Sequence, residues 1–166
     1  MATSDQIPNS ELTRIGRALP FWASLMLVPL AWVAALKGGW FIALLPLATW
    51  HLFTVLDAIL GRYTENADPE TDTSDLFWYR AITLIWTPIQ FLTIFGILVY
   101  VTRTGHLHWA EEWLLFAALG IASGTIGINY SHELLHQKPK LERWLGDILL
   151  AMVMYSHFRS EHLLVH

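Results

Sequence analysis

Two histidine pairs carry the chemistry that this chain could perform. His132 and His136 stand four apart in NYSHELLHQK, and His162 and His166 repeat that spacing in FRSEHLLVH. On an α-helix, residues four apart project from one face, one turn above the other, so each pair can aim two imidazoles at one metal ion. Each pair also has an acid beside it, Glu133 after His132 and Glu161 before His162. Acids next to ligand histidines orient the rings or carry protons. A single H-x-x-x-H arises often in proteins that bind no metal, whereas HELLH is narrower because it also fits H-E-x-x-H, the zinc-protease signature. Two such pairs, each with its acid, point to metal binding. Neutral imidazole suits iron, zinc, copper and nickel alike, so the ligand type does not name the metal.

The elements that must position these residues are those of a membrane protein. Of the 166 residues 54% are apolar and only 14% charged, where soluble domains carry roughly a quarter. With no cysteine, disulfides, thiolate metal sites and cysteine nucleophiles are all excluded. A net charge of −4 offers no basic surface for nucleic acid. The nine tryptophans, many near the ends of apolar runs, suit the interfacial belts of a bilayer.

Residues 1–18 are polar and read as a retained cytoplasmic tail, since no small-residue cleavage site follows the next apolar run. Residues 19–36 and 38–56 hold no charge, and they form two spans joined by a hairpin at Lys37, Gly38 and Gly39. Residues 57–80 make a solvated loop with six acids. Residues 81–102 and 113–131 are again uncharged and supply two more spans, the last delivering His132 at its end. Gly120, Gly124 and Gly127 make one region of that helix small enough for close packing. Between Asp147 and Arg159 only 11 uncharged residues remain, about half of what a crossing needs. A crossing there would also separate the two histidine pairs, so residues 141–160 are expected to dip into the membrane or lie along its face. The expected fold is thus all-α and polytopic, four spanning helices plus an interfacial helix bearing the second pair, in one domain over residues 19–166. With the N-terminus inside, Arg14, Arg17, Arg62, Arg80, Lys138, Lys140, Arg143 and Arg159 are cytoplasmic and only Lys37 and Arg103 lie outside, eight against two. The histidines then face the cytoplasm.

GINYSHELLHQK followed by LERWLGDILLAMVMYSHFRSEHLLVH resembles the first two histidine boxes of the integral-membrane alkane hydroxylases, the alkane 1-monooxygenases of the wider membrane desaturase and hydroxylase group. The likeness extends upstream to WHLFTVLDAILGRYTEN, where Trp50, Leu56, Asp57, Gly61 and Asn66 stand as in that family. It implies a non-haem centre of two iron ions, in a bacterial inner membrane, that uses O2 and electrons from rubredoxin and its reductase to hydroxylate the terminal carbon of n-alkanes. By position, His132, His136, His162 and His166 would be ligands, Glu133 and Asp57 would serve catalysis, and Trp50 would gate a substrate channel. Trp50 lies seven residues before Asp57, on the same helix face. The family's pattern continues beyond these boxes, so a C-terminal half with further ligands is expected. Leu135 and Val165 stand where many members carry glycine.

Other readings account for part of the pattern. An intramembrane zinc protease would use Glu133 as general base and His132 and His136 as ligands, but it gives EHLLVH no purpose. A haem-binding electron-transfer anchor needs histidines facing each other within the bilayer. A desaturase, a fatty-acid hydroxylase or a xylene-type hydroxylase would share the same boxes. His157 reads as a hydrogen-bonded neighbour of the second box, His51 as a packing residue, and His106 and His108 as lying on the far side.

Overall fold

The computed structural model of the protein describes residues 11–60 and 77–165, and all its regular elements are helical. They are α1 (Glu11–Trp22), a 3-10 turn (Ala23–Met26), α2 (Leu27–Lys37), α3 (Trp40–Leu60), α4 (Phe77–Thr104), α5 (Trp109–Leu135), α6 (Lys140–Met152) and α7 (Phe158–Val165). The first apolar run is therefore helical back to Glu11, within the expected tail, and it tightens once. The tightening precedes Pro29, which lacks an N–H and whose ring crowds the carbonyl one turn earlier, at Leu25.

At the end of α2 the chain reverses through Gly38 and Gly39, both with positive φ (65° and 55°). Only glycine reaches that backbone region without a Cβ clash. The Gly39 N–H donates to Glu111 Oε1 at 2.8 Å, and His106 Nε2 lies 3.0 Å from the Ala35 carbonyl. His108 caps α5, its backbone N–H donating to Glu111 Oε2 at 2.9 Å. These contacts knit one end of the bundle.

The bundle alternates in direction. Trp22 Nε1 donates to the Trp78 carbonyl at 3.0 Å, and Trp32 meets Tyr100 edge-on at 6.3 Å, so α4 runs parallel to α1 and α2. Trp86 packs edge-on against Tyr130 at 5.7 Å and Gln90, one turn on, lies against Gly127, so α5 runs antiparallel to α4. Small and branched residues, including Ala31, Ala34, Leu45, Ile82, Ile97, Leu115, Ala118 and Leu134, form the core between these helices.

Phe77–Thr104 and Trp109–Leu135 are long and apolar enough to cross a membrane. Only 33% and 39% of their apolar windows are buried, and Leu92, Val99 and Leu114 project outward. The core helix of a soluble protein would hide such side chains, whereas lipid accepts them. Ala23–Lys37, the 3-10 turn with α2, and Trp40–His51, the first part of α3, are shorter apolar stretches. Of the four expected spans, then, two reach crossing length among the described residues.

At the opposite end of the bundle α6 folds back on the last turns of α5. A Cβ at Gly146 would sit 3.2 Å from the Ser131 carbonyl oxygen, so glycine is what allows this approach. Ser131 Oγ donates to the Gly146 carbonyl at 2.9 Å, and Arg80 of α4 pairs with Glu142 of α6. α6 then stops in a Schellman turn. The Tyr155 N–H donates to Leu150 O at 2.9 Å and the Met154 N–H to Ala151 O at 3.1 Å, with Met154 at φ 56° where glycine is usual. The short segment that cannot cross the membrane is thus two helices, bent so that α7 returns to the end of α5.

Candidate metal centre

His132 sits in the last turn of α5 and His136 is its C-cap, still helical at φ −80°, so the four-residue spacing stacks their rings on one face. α7 brings His162 to them. Ring centroids stand 4.8 Å apart for His132 and His136, 4.5 Å for His132 and His162, and 5.1 Å for His136 and His162. One nitrogen from each ring falls within 4.8 Å of the other two, and no other cluster of three such donors occurs among the described residues. His132 and His162 are half-buried and His136 is exposed.

His136 Nε2 lies 2.9 Å from His162 Nε2. With one ring donating, that is a hydrogen bond. It is also a ligand spacing, since imidazole nitrogens bound at about 2.1 Å and at right angles to each other stand about 3.0 Å apart. Three convergent imidazoles without a thiolate fit a borderline divalent ion such as iron or zinc.

The surroundings hold the third ring in place. Phe158, one turn before His162, stacks on it nearly parallel, 9° and 5.0 Å between centroids, and Tyr155 stacks on Phe158 at 5.6 Å. Arg159 on α7 forms an ion pair with Asp147 on α6. Glu133 Oε1 is 3.7 Å from His132 Nδ1, too long for a hydrogen bond, and its side chain is 65% exposed.

Other residues singled out in the sequence lie as follows. His166 and the side chains of Asp57 and Val165 are outside the described residues. Trp50 is 59% exposed on α3. Leu135 is buried beside Gly146. His157 is exposed and packs edge-on to Tyr155 at 4.5 Å, and His51 is exposed. His106 and His108 lie at the far end of the bundle, bonded to Ala35 and capping α5. Sequence reading missed Ser131, Gly146, Asp147, Phe158 and Arg159. Phe158 at one turn from His162 was the one locally visible signal, because the others act through partners on a different helix.

Comparison with known proteins agrees with this arrangement. Residues 107–166, which carry the histidine cluster, match the family described as fatty acid desaturase. Within that class the relatives are alkane 1-monooxygenases. Alkane 1-monooxygenase 2 of Pseudomonas aeruginosa is 33% identical over 124 residues, 69% of this chain and 31% of that protein. Alkane 1-monooxygenase of Pseudomonas putida is 32% identical over 146 residues, 86% and 35% of the two chains. Alkane 1-monooxygenase 2 of Alcanivorax borkumensis is 28% identical over 162 residues, 89% and 40%. The chain is a homologue of the alkane 1-monooxygenases and spans about a third of the length of these relatives. No solved structure matches it.

Proposed function

We propose that this chain carries part of the metal centre of a membrane non-haem monooxygenase that hydroxylates the terminal carbon of medium- or long-chain n-alkanes. The observation that carries the reading is the meeting of His132, His136 and His162 at the end of a long apolar helix, together with the kinship of the chain to alkane 1-monooxygenases. These three residues, joined by His166, would hold iron. Four imidazoles are fewer donors than two well-coordinated iron ions require, so the centre draws on ligands besides these. The iron would supply the oxidation chemistry, spending O2 and electrons from rubredoxin and its reductase on a terminal C–H bond.

The chain's own residues bind and orient. Glu133, beside His132 Nδ1, would hold that ring's proton once the carboxylate closes the gap, and Asp57 would support the centre from α3. An alkane offers nothing to hydrogen-bond, so its end must be selected by the shape of an apolar channel. Trp50 is the candidate stop. The full reading has four spans, the two shorter apolar helices completing them, in a bacterial inner membrane with the N-terminus and the histidines cytoplasmic, where reduced electron carriers are available.

A single zinc ion on the same three histidines, with Glu133 as general base, is the competing reading, and the number of imidazoles favours it. Metal analysis of the purified full-length protein that carries this chain, followed by reconstitution with rubredoxin, its reductase and n-octane, separates the two. Bound iron and 1-octanol are expected. One zinc per chain and no alkanol overturns the hydroxylase.

A further inference from the structure

We infer that Asp147 and Arg159 are positioning residues for the histidine centre, their ion pair fixing where α7 presents His162 to His132 and His136. The inference rests on the metal-centre reading above.

α7 has eight residues, too few for a helix to persist unless it is held. Its first turn bonds back to the Tyr155 and His157 carbonyls and Phe158 stacks on Tyr155, while the described contacts that reach other helices include Arg159 to Asp147, the His162 ring to the His132 and His136 rings, and Phe158 to His132 at 6.3 Å. The ring contacts are the site itself. Arg159 makes an ion pair to α6 outside the histidine site, and it stands three residues before His162, on the same face of α7.

Its partner is well placed to act as an anchor. Asp147 follows Gly146, the point where α6 comes closest to α5, and Ser131 Oγ bonds the Gly146 carbonyl at 2.9 Å. One turn and a half earlier on α6, Glu142 is buried at 6% exposure and paired with Arg80 of α4. A run of contacts thus leads from α4 and α5 through α6 to α7. Both side chains of the Asp147 and Arg159 pair are a third or more exposed, 33% and 43%, so the pair adds little to overall stability. What it sets is direction, because a planar guanidinium donates to a carboxylate in few orientations.

The test uses the whole chain in detergent with Co(II) as probe, whose visible absorption reports coordination. Arg159→Gln and Asp147→Asn are each expected to weaken Co(II) binding on the order of tenfold and to alter its spectrum, as supporting residues of metal sites do. The double variant should lose no more than either single one, and the exchange Arg159→Asp with Asp147→Arg should restore most of the affinity. Unchanged affinity in the single variants, or losses that simply add, overturns the inference.

A second measurement needs no metal. The chain has no cysteine, so spin labels at Lys138→Cys and Ser160→Cys report the distance from the end of α5 to α7. Arg159→Gln should broaden that distribution and the exchanged pair should narrow it again. A distribution indifferent to both overturns the positioning role. Failure of the unsubstituted protein to bind Co(II), with labels that still respond, overturns the metal reading and leaves the tether standing.

Discussion

At the scale of single residues, the histidines were legible because their pairing is local. The four-residue spacing of His132 and His136 needs only a helix to become a shared face. That His162 joins them was expected from a repeat of the same device, and α7 does bring it within ligand distance. The residues that hold it were not legible, since nothing in the neighbourhood of Arg159 announces Asp147 as its partner on another helix. Metal content should separate ligand from neighbour: His162→Ala is expected to lose most of the bound metal, while His157→Ala, exposed and turned to Tyr155, should keep it. Plasma emission analysis of the purified variants measures both, and equal loss in the two would remove His162 from the ligand set. The proposed gate admits a test of the same size. Trp50→Ser should extend the range of alkanes oxidised toward longer chains, and an unaltered product profile in whole cells would return Trp50 to a lipid-facing role.

At the scale of elements, apolar run length marked out α3, α4 and α5, and the charges at Asp147 and Arg159 marked the segment too short to cross. Boundaries and turns were less visible. No sequence signal marks the Schellman turn after α6, because Met154 occupies the left-handed position that glycine normally signals. A methionine there is strained by roughly 1 kcal/mol, and its side chain is 90% exposed, so little packing offsets the strain. Met154→Gly should therefore raise stability by up to about 1 kcal/mol, read as a higher midpoint in denaturant, and a lower one would contradict the turn. The reverse holds one helix earlier. Gly146→Val would force a branched side chain against the Ser131 carbonyl at 3.2 Å and the Leu134 Cβ at 3.3 Å. Overpacking of that kind costs about 1–3 kcal/mol, and the displaced α6 should also lower metal affinity. A variant that keeps both stability and metal would show that α6 can shift without moving α7.

At the scale of the molecule, the question is which face of the membrane holds the centre. The helix directions put the histidines at one end of the bundle, with the α2 to α3 hairpin and the His106 and His108 turn at the other. Positive charge divides along the same line, with Lys138, Lys140, Arg143 and Arg159 at the histidine end and Lys37 and Arg103 opposite. The proposed orientation, with the histidine end facing the cytoplasm, is the one that satisfies the positive-inside rule. Because the chain lacks cysteine, single introduced thiols can report each end without background. Thr104→Cys, on the exposed far end of α4, should react with a membrane-impermeant maleimide added to spheroplasts. Lys138→Cys, just past His136, should react only after the membrane is opened. The opposite pattern would set the histidines on the side away from cytoplasmic reductants and remove the source of electrons that the proposed oxygenase needs. Labelling of both thiols in intact spheroplasts would mean instead that the two ends are not divided by a bilayer, and with that the outward-facing apolar residues of α4 and α5 would need a protein partner rather than lipid to cover them.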